Sequence, residues 1–125
     1  MKQPLTFLIA DDEALIAMGL QLELEQANYI VNKIVSTGDA VLKELKNKKP
    51  DVILLDIRLA GQVDGLFTAT ELRNFCDSHI IFMTGYEDKK LKEKAAAIPN
   101  SSFLNKPIQL YEIETLLEKH LNRTT

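Results

Sequence analysis

Asp11, Asp12, Asp56, Thr84 and Lys106 are three carboxylates, a hydroxyl and an ammonium, and each closes or follows a short apolar run. The sharpest run is Val52-Ile53-Leu54-Leu55, entered from Asp51 and closed by Asp56. Carboxylates gathered within a few ångströms repel, each close pair by up to ~4 kcal/mol at an effective dielectric of about 20. A fold keeps such a cluster when a hard divalent cation or a cationic side chain compensates it. Oxygen donors with no His or Cys nearby favour Mg²⁺ over zinc. A metal, a lysine and a hydroxyl around one carboxylate form an apparatus for phosphoryl transfer. The Asp attacks, Mg²⁺ and Lys neutralise charge on the phosphoryl oxygens, and Thr donates a hydrogen bond to one of them. Taken singly, each residue has a plainer use. Asp56 could cap the next turn or helix, and the triplet Asp11-Asp12-Glu13 suits the start of a helix.

The elements between these residues decide whether they meet. An aliphatic run such as 52–55 reads as a strand buried on both faces, as in a parallel sheet. Leu5 to Ala10 is a second such run. Ala14 to Gln26 then reads as a helix, with Leu15, Met18 and Leu22 on one stripe, Ile16, Leu20 and Leu24 beside it, and Asn28 at its end. Tyr29 to Val35 has strand character. Ser36-Thr37-Gly38-Asp39 supplies caps for a helix over about 40–46. After Asp56 comes a turn-rich loop over 60–65, a helix over about 66–75 and a strand, Ser78 to Met83, ending at Thr84-Gly85. A charged helix over 87–97, a short strand over 101–105 ending at Lys106-Pro107, and a helix over 108–121 complete the chain. That last helix carries Ile113, Leu116, Leu117 and His120 on one face.

Five strand–helix alternations with short connections predict an α/β fold, a doubly wound five-stranded parallel sheet with right-handed crossovers. The common strand order at this size is 2-1-3-4-5, which sets the ends of strands 1 and 3 side by side at the switch point where ligand crevices form. One rim would then hold all five residues.

Composition narrows the classes. The chain of 125 residues and 14.1 kDa is predicted to be one domain, residues 1–125, with one core. A 46% hydrophobic and 26% charged balance is that of a globular protein, not a disordered one. A net charge of −3 lacks the basic footprint of direct nucleic-acid binding. Lone Cys76 forms no intramolecular disulfide and reads as a buried structural thiol. No apolar run reaches the ~18 residues of a membrane span and no signal peptide is recognisable, so a cytoplasmic location is expected. His79 and His120 have no carboxylate or nucleophile at a catalytic spacing and read as strand or packing residues. Lys46-Asn47-Lys48-Lys49 and the lysines at 89–94 read as solvated faces.

The ordered set Asp11-Asp12, Asp56, Thr84 and Lys106-Pro107 resembles the receiver domain of two-component response regulators, from Leu5 to about Leu121. The resemblance implies a flavodoxin-like (α/β)5 fold and a signalling role. Asp56 would be the phosphoacceptor, taking phosphate from a sensor histidine kinase or phosphotransfer protein. Asp12 would bind Mg²⁺ directly and Asp11 through water, with Asp56 and the backbone carbonyl of Arg58 completing the metal site. Thr84 would move toward the phosphoryl group and Lys106 would pair with it. The Lys106-Pro107 bond would be cis, a proline feature. Phe103 would be the switch aromatic, turning inward as Thr84 shifts, its alternative being a core aromatic of strand 5. The readout would be a population shift on the face of helix 4, strand 5 and helix 5, toward a downstream protein or an output domain outside this chain.

Some residues depart from the pattern. Arg58 and Tyr86 flank the phosphoryl pocket and bear on the lifetime of the phosphorylated state. Ala60 replaces a frequent proline, and Phe103 lacks the hydroxyl of a tyrosine. Phe82-Met83-Thr84-Gly85-Tyr86 is similar to a segment of certain stand-alone receivers, in which the helix 4 region is often mobile. Few residues follow helix 5, so a stand-alone regulator and a receiver excised from a longer protein are both open. Three other readings stand as rivals. A degenerate receiver binding partners without phosphate is opposed by the intact Asp, Thr and Lys set. A flavodoxin-like cofactor binder is opposed by Asp11-Asp12 where a phosphate loop would be needed. A haloacid-type aspartyl phosphatase would want a second Asp where Arg58 stands.

Overall fold

The structure, a computed structural model, describes residues 3–59, 64–85 and 89–121. Its elements are β1 (Thr6–Ala10), α1 (Ala14–Gln26), β2 (Ile30–Val35), α2 (Gly38–Asn47), β3 (Val52–Asp56), α3 (Gly65–Leu72), β4 (His79–Thr84), α4 (Lys89–Ala96), β5 (Ser101–Asn105) and α5 (Leu110–Leu121). The sheet has the order β2-β1-β3-β4-β5 and all its pairings are parallel. This is the predicted doubly wound, flavodoxin-like arrangement. Boundaries move only slightly from the sequence reading, as helix and strand ends commonly do. The expected start of the fourth helix at Glu87, and the contributions of Ala60 and Tyr86, lie outside the described residues.

Alternation along the strands builds a core on each side of the sheet. Leu8, Ile53, Leu55, Ile80 and Phe82 face one way and pack with Val41, Leu45, Ala69, Leu72 and Ala95 of α2, α3 and α4. Phe7, Ile9, Val52, Leu54, Ile81 and Met83 face the other and pack with Ala17, Leu20, Leu24, Ile113 and Leu117 of α1 and α5. Every residue of β3 and β4 is buried, as an aliphatic run in a covered parallel sheet requires. Each fully buried Leu, Ile or Phe contributes roughly 1.5–3 kcal/mol. The two central strands therefore form the rigid base on which Asp56 and Thr84 stand.

Local signals set the helix ends. Thr37 Oγ1 accepts from Ala40 N at 3.1 Å to cap α2, and Asp64 Oδ1 accepts from Phe67 N at 2.8 Å to cap α3. Asn28, with φ of 70°, takes the left-handed position that ends α1. The two apolar stripes of α1 are used differently. Leu15, Met18 and Leu22 are 86%, 57% and 58% exposed, whereas Ala17, Leu20 and Leu24 are buried. This helix is apolar on most of its surface, so periodicity marked two stripes and only one could face the sheet. Small Ala17 lies on the buried side. On α5, Ile113 and Leu117 are buried, but His120 is exposed at the edge of that face.

Candidate functional site

β1 and β3 are neighbours, so the residues leaving their C-terminal ends meet at the switch point. Asp11 follows β1 and is held there by its own N–H, which donates to Val35 O at 3.0 Å. Asp56 ends β3, and the Ile57 N–H donates to Met83 O at 3.1 Å, tying that end to β4. Lys106 follows β5, and its N–H donates to Thr84 O at 2.8 Å. The Lys106–Pro107 peptide is cis. Asp11, Asp56, Thr84 and Lys106 are thus each carried on a strand end pinned to its neighbour, with Asp12 directly after Asp11.

The geometry centres on one ammonium. Lys106 Nζ donates to Asp56 Oδ2 at 2.8 Å and lies 3.3 Å from both Asp11 Oδ2 and Glu13 Oε1. Asp56 Oδ1 accepts the Arg58 N–H at 3.0 Å, and Asp11 Oδ1 accepts the Glu13 N–H at 2.9 Å. Asp11 and Asp56 are buried, while Asp12 and Glu13 are exposed. Thr84 is buried at the end of β4, and its Oγ1 donates to Gly85 O at 3.3 Å. The predicted carboxylates and Lys106 are therefore in one cluster, with Thr84 on the adjoining strand end. Phe103 is 41% exposed on β5, so it is not the core aromatic offered as the alternative. Lys92 Nζ sits 5.8 Å from its ring centroid.

Burial raises the Asp56 pKa; the Lys106 hydrogen bond, the Arg58 N–H and the Lys106 charge oppose it, and Asp11 adds to it. Burial by itself would lower the Lys106 pKa, but Asp56 and then Asp11 outweigh this and hold it above its ordinary value. The 2.8 Å contact between Lys106 Nζ and Asp56 Oδ2 makes the charged pair the ground state.

One cation does not saturate the cluster. Asp11 Oδ2 is buried and lies 3.3 Å from Nζ, but no hydrogen bond of ordinary geometry reaches it from the described residues. Asp11, Asp12, Glu13 and Asp56 each present a carboxylate oxygen, all within 4.8 Å of one another. An all-oxygen set with one orphaned buried atom fits a hard divalent cation.

Two contributors were not singled out from the sequence. In sequence Glu13 is part of an acidic helix start, and its contact with Lys106 spans 93 residues, beyond any local pattern. Gly65 stands against the loop after Asp56. A Cβ there would meet Asp56 O at 2.1 Å and Ile57 Cα and O at 2.8 Å, so only glycine lets α3 begin so close. The histidines lie elsewhere. His79 is buried at the other end of β4, between Asn100 Oδ1 at 2.9 Å and Ser102 Oγ at 2.8 Å, and stacks on His120 with ring centroids 4.6 Å apart. That is a packing role. The residues at 46–49 are exposed, as expected.

The family model for the response regulator receiver domain matches residues 7–118. The transcriptional regulatory protein PdtaR of Mycobacterium tuberculosis is 27% identical over 120 residues, which are 96% of this chain and 58% of that protein. The chain spans about half the length of the curated relatives it matches. Among solved structures, a putative response regulator from Chloroflexus aurantiacus superposes with a TM-score of 0.86 at 27% identity, covering 97% of this chain and 100% of that one. The signal receiver domain of a modulated diguanylate cyclase from Desulfovibrio desulfuricans gives 0.87 at 28% identity, covering 96% and 95%.

Proposed function

Because this chain belongs to the family of response regulator receiver domains, we propose that Asp56 accepts a phosphoryl group from a sensor histidine kinase or phosphotransfer protein. The observation that carries this is the placement of Asp56 at the switch point, hydrogen-bonded by Lys106 and beside the orphaned oxygen of Asp11. Asp11, Asp12, Asp56 and the backbone carbonyl of Arg58 are the groups that would hold Mg²⁺. When bound, the ion would offset negative charge on the phosphoryl oxygens and lessen the repulsion between the like-charged acceptor and donor.

The chain's own residues do the rest. An Asp56 carboxylate oxygen attacks phosphorus, the bond from phosphorus to the donor's imidazole nitrogen breaks, and the electron pair leaves with that nitrogen. Lys106 exchanges its carboxylate partners for a phosphoryl oxygen, and the Thr84 hydroxyl donates to another. Both sit on strand ends already pinned together, so little reorganisation is needed. The exposed apolar stripe Leu15, Met18 and Leu22 lies on the helix that starts at the acidic rim and offers a donor a docking surface.

Phosphorylation adds about −1.5 to −2 charge at neutral pH. Thr84 is drawn toward it, Phe103 turns from its half-exposed position into the space vacated, and the face of α4, β5 and α5 shifts population. The product is a signal to a downstream protein or output domain, and the reaction is self-catalysed phosphorylation and dephosphorylation within one cytoplasmic signalling domain. Intact mass after incubation with acetyl phosphate tests this reading. A single phosphoryl adduct should require Mg²⁺ and vanish in Asp56→Asn; an adduct retained in that variant would refute it.

A further inference from the structure

Glu13 occupies the N-cap of α1, a position favoured by short side chains that accept a hydrogen bond from the first turn. Its side chain makes no such bond. It reaches instead to Lys106, with Oε1 3.3 Å from Nζ. Lys106 therefore has three carboxylate partners, and they differ in kind. All three belong to the acidic group whose carboxylate oxygens lie within 4.8 Å of one another, but Asp56 and Asp11 are buried. Glu13 is the exposed one, with a side chain 61% accessible on the outer side of the ammonium.

A cation taken up by Asp11 and Asp56 weakens their hold on Lys106 by sharing their charge and by repelling the ammonium. Glu13, solvent-exposed at the rim, is not part of that buried pair. We propose that Glu13 is a positioning residue that retains Lys106 at the rim of the loaded site and competes with the phosphoryl oxygens for it. The inference rests on the acceptor reading above and adds to it a residue that sets how tightly the phosphorylated state is held. Such competition opposes the phosphoryl group twice, through the withheld ammonium and through the like charge of Glu13 itself. Only the first effect depends on Lys106, and that separates a positioning role from a general field.

The test is a double-mutant cycle read by binding of beryllofluoride, a phosphoryl mimic, at saturating Mg²⁺, with amide NMR shifts of Thr84 and Lys106 as the signal. Glu13→Gln, and Glu13→Ala as a second variant, should bind the mimic about threefold more tightly than wild type, the scale of one exposed ion pair. In a Lys106→Met background the same changes should give little or no gain. Affinity for Mg²⁺ alone should stay the same or fall, the opposite sense to the mimic. An equal gain with and without Lys106, or no gain in the wild-type background, would overturn the proposal. A wild-type protein silent to beryllofluoride would overturn the acceptor reading, and this inference with it.

Discussion

Lys106 reaches back across 50 residues of sequence to place its ammonium 2.8 Å from Asp56 Oδ2. That contact joins the end of β5 to the end of β3, over the intervening β4. It also sets the electrostatic balance of the site, because the same ammonium is the nearest compensation for Asp11 and Glu13.

Lys106→Met should therefore destabilise the metal-free protein. It leaves the buried carboxylates of Asp11 and Asp56 uncompensated, which costs about 2 kcal/mol after allowance for the partial exposure of the pair. Mg²⁺ should restore more stability to this variant than to wild type, since no ammonium then competes for the carboxylates. Urea midpoints with and without the ion check both statements. A variant as stable as wild type without the ion would show that the pair does not compensate the cluster.

Gly65→Ala should be costly although it adds a single methyl. The new Cβ would fall 2.1 Å from Asp56 O, a backbone atom that cannot swing aside. Either α3 moves away or the chain after Asp56 does, at about 2–3 kcal/mol. The hydrogen bond from Gly65 N to Ile57 O, 2.8 Å long, would be strained with it. Chemical denaturation gives the loss, and labelling of Asp56 by acetyl phosphate should fall in parallel.

Much of this site was legible before any coordinates. Aliphatic runs closed by Asp56 and Thr84 marked buried strands, and alternation with helices implied the order that brings strands 1 and 3 together. The residues that escaped did so for physical reasons. Leu15, Met18 and Leu22 sit at helical spacing, but so do Ala17, Leu20 and Leu24, and periodicity does not say which stripe meets a sheet. Glu13 looked like a helix-start acid because its partner is 93 residues away. Gly65 carries no pattern at all; its necessity comes from a backbone approach visible only in three dimensions.

His79 gives the chain a pH dependence separate from the acidic site. Burial holds its pKa below the ordinary 6.5, the Asn100 contact opposes this, and the charges of His120 and Arg73 add to it. Asn100 Nδ2 donates to Asp77 O at 2.8 Å, so its Oδ1 faces the ring and makes His79 Nδ1 the donor and Nε2 the acceptor from Ser102. Below pH 6.5 the unfolded chain takes up a proton that the folded chain refuses. Stability present above that pH is lost as the pH falls toward the lower folded value. Melting temperatures of wild type and His79→Gln should converge as the pH drops from 8 to 5.5. Parallel curves over that range would exclude His79 as the source.

The acceptor itself is the central claim, and trapping it chemically tests it most directly. Borohydride reduces an acyl phosphate to an alcohol, so a phosphorylated aspartate becomes homoserine and can be located by peptide sequencing in a mass spectrometer. After acetyl phosphate and Mg²⁺, homoserine should appear at Asp56 alone, and not when Mg²⁺ is withheld. Homoserine at Asp11 or Asp12, or at Asp56 regardless of Mg²⁺, would contradict the account.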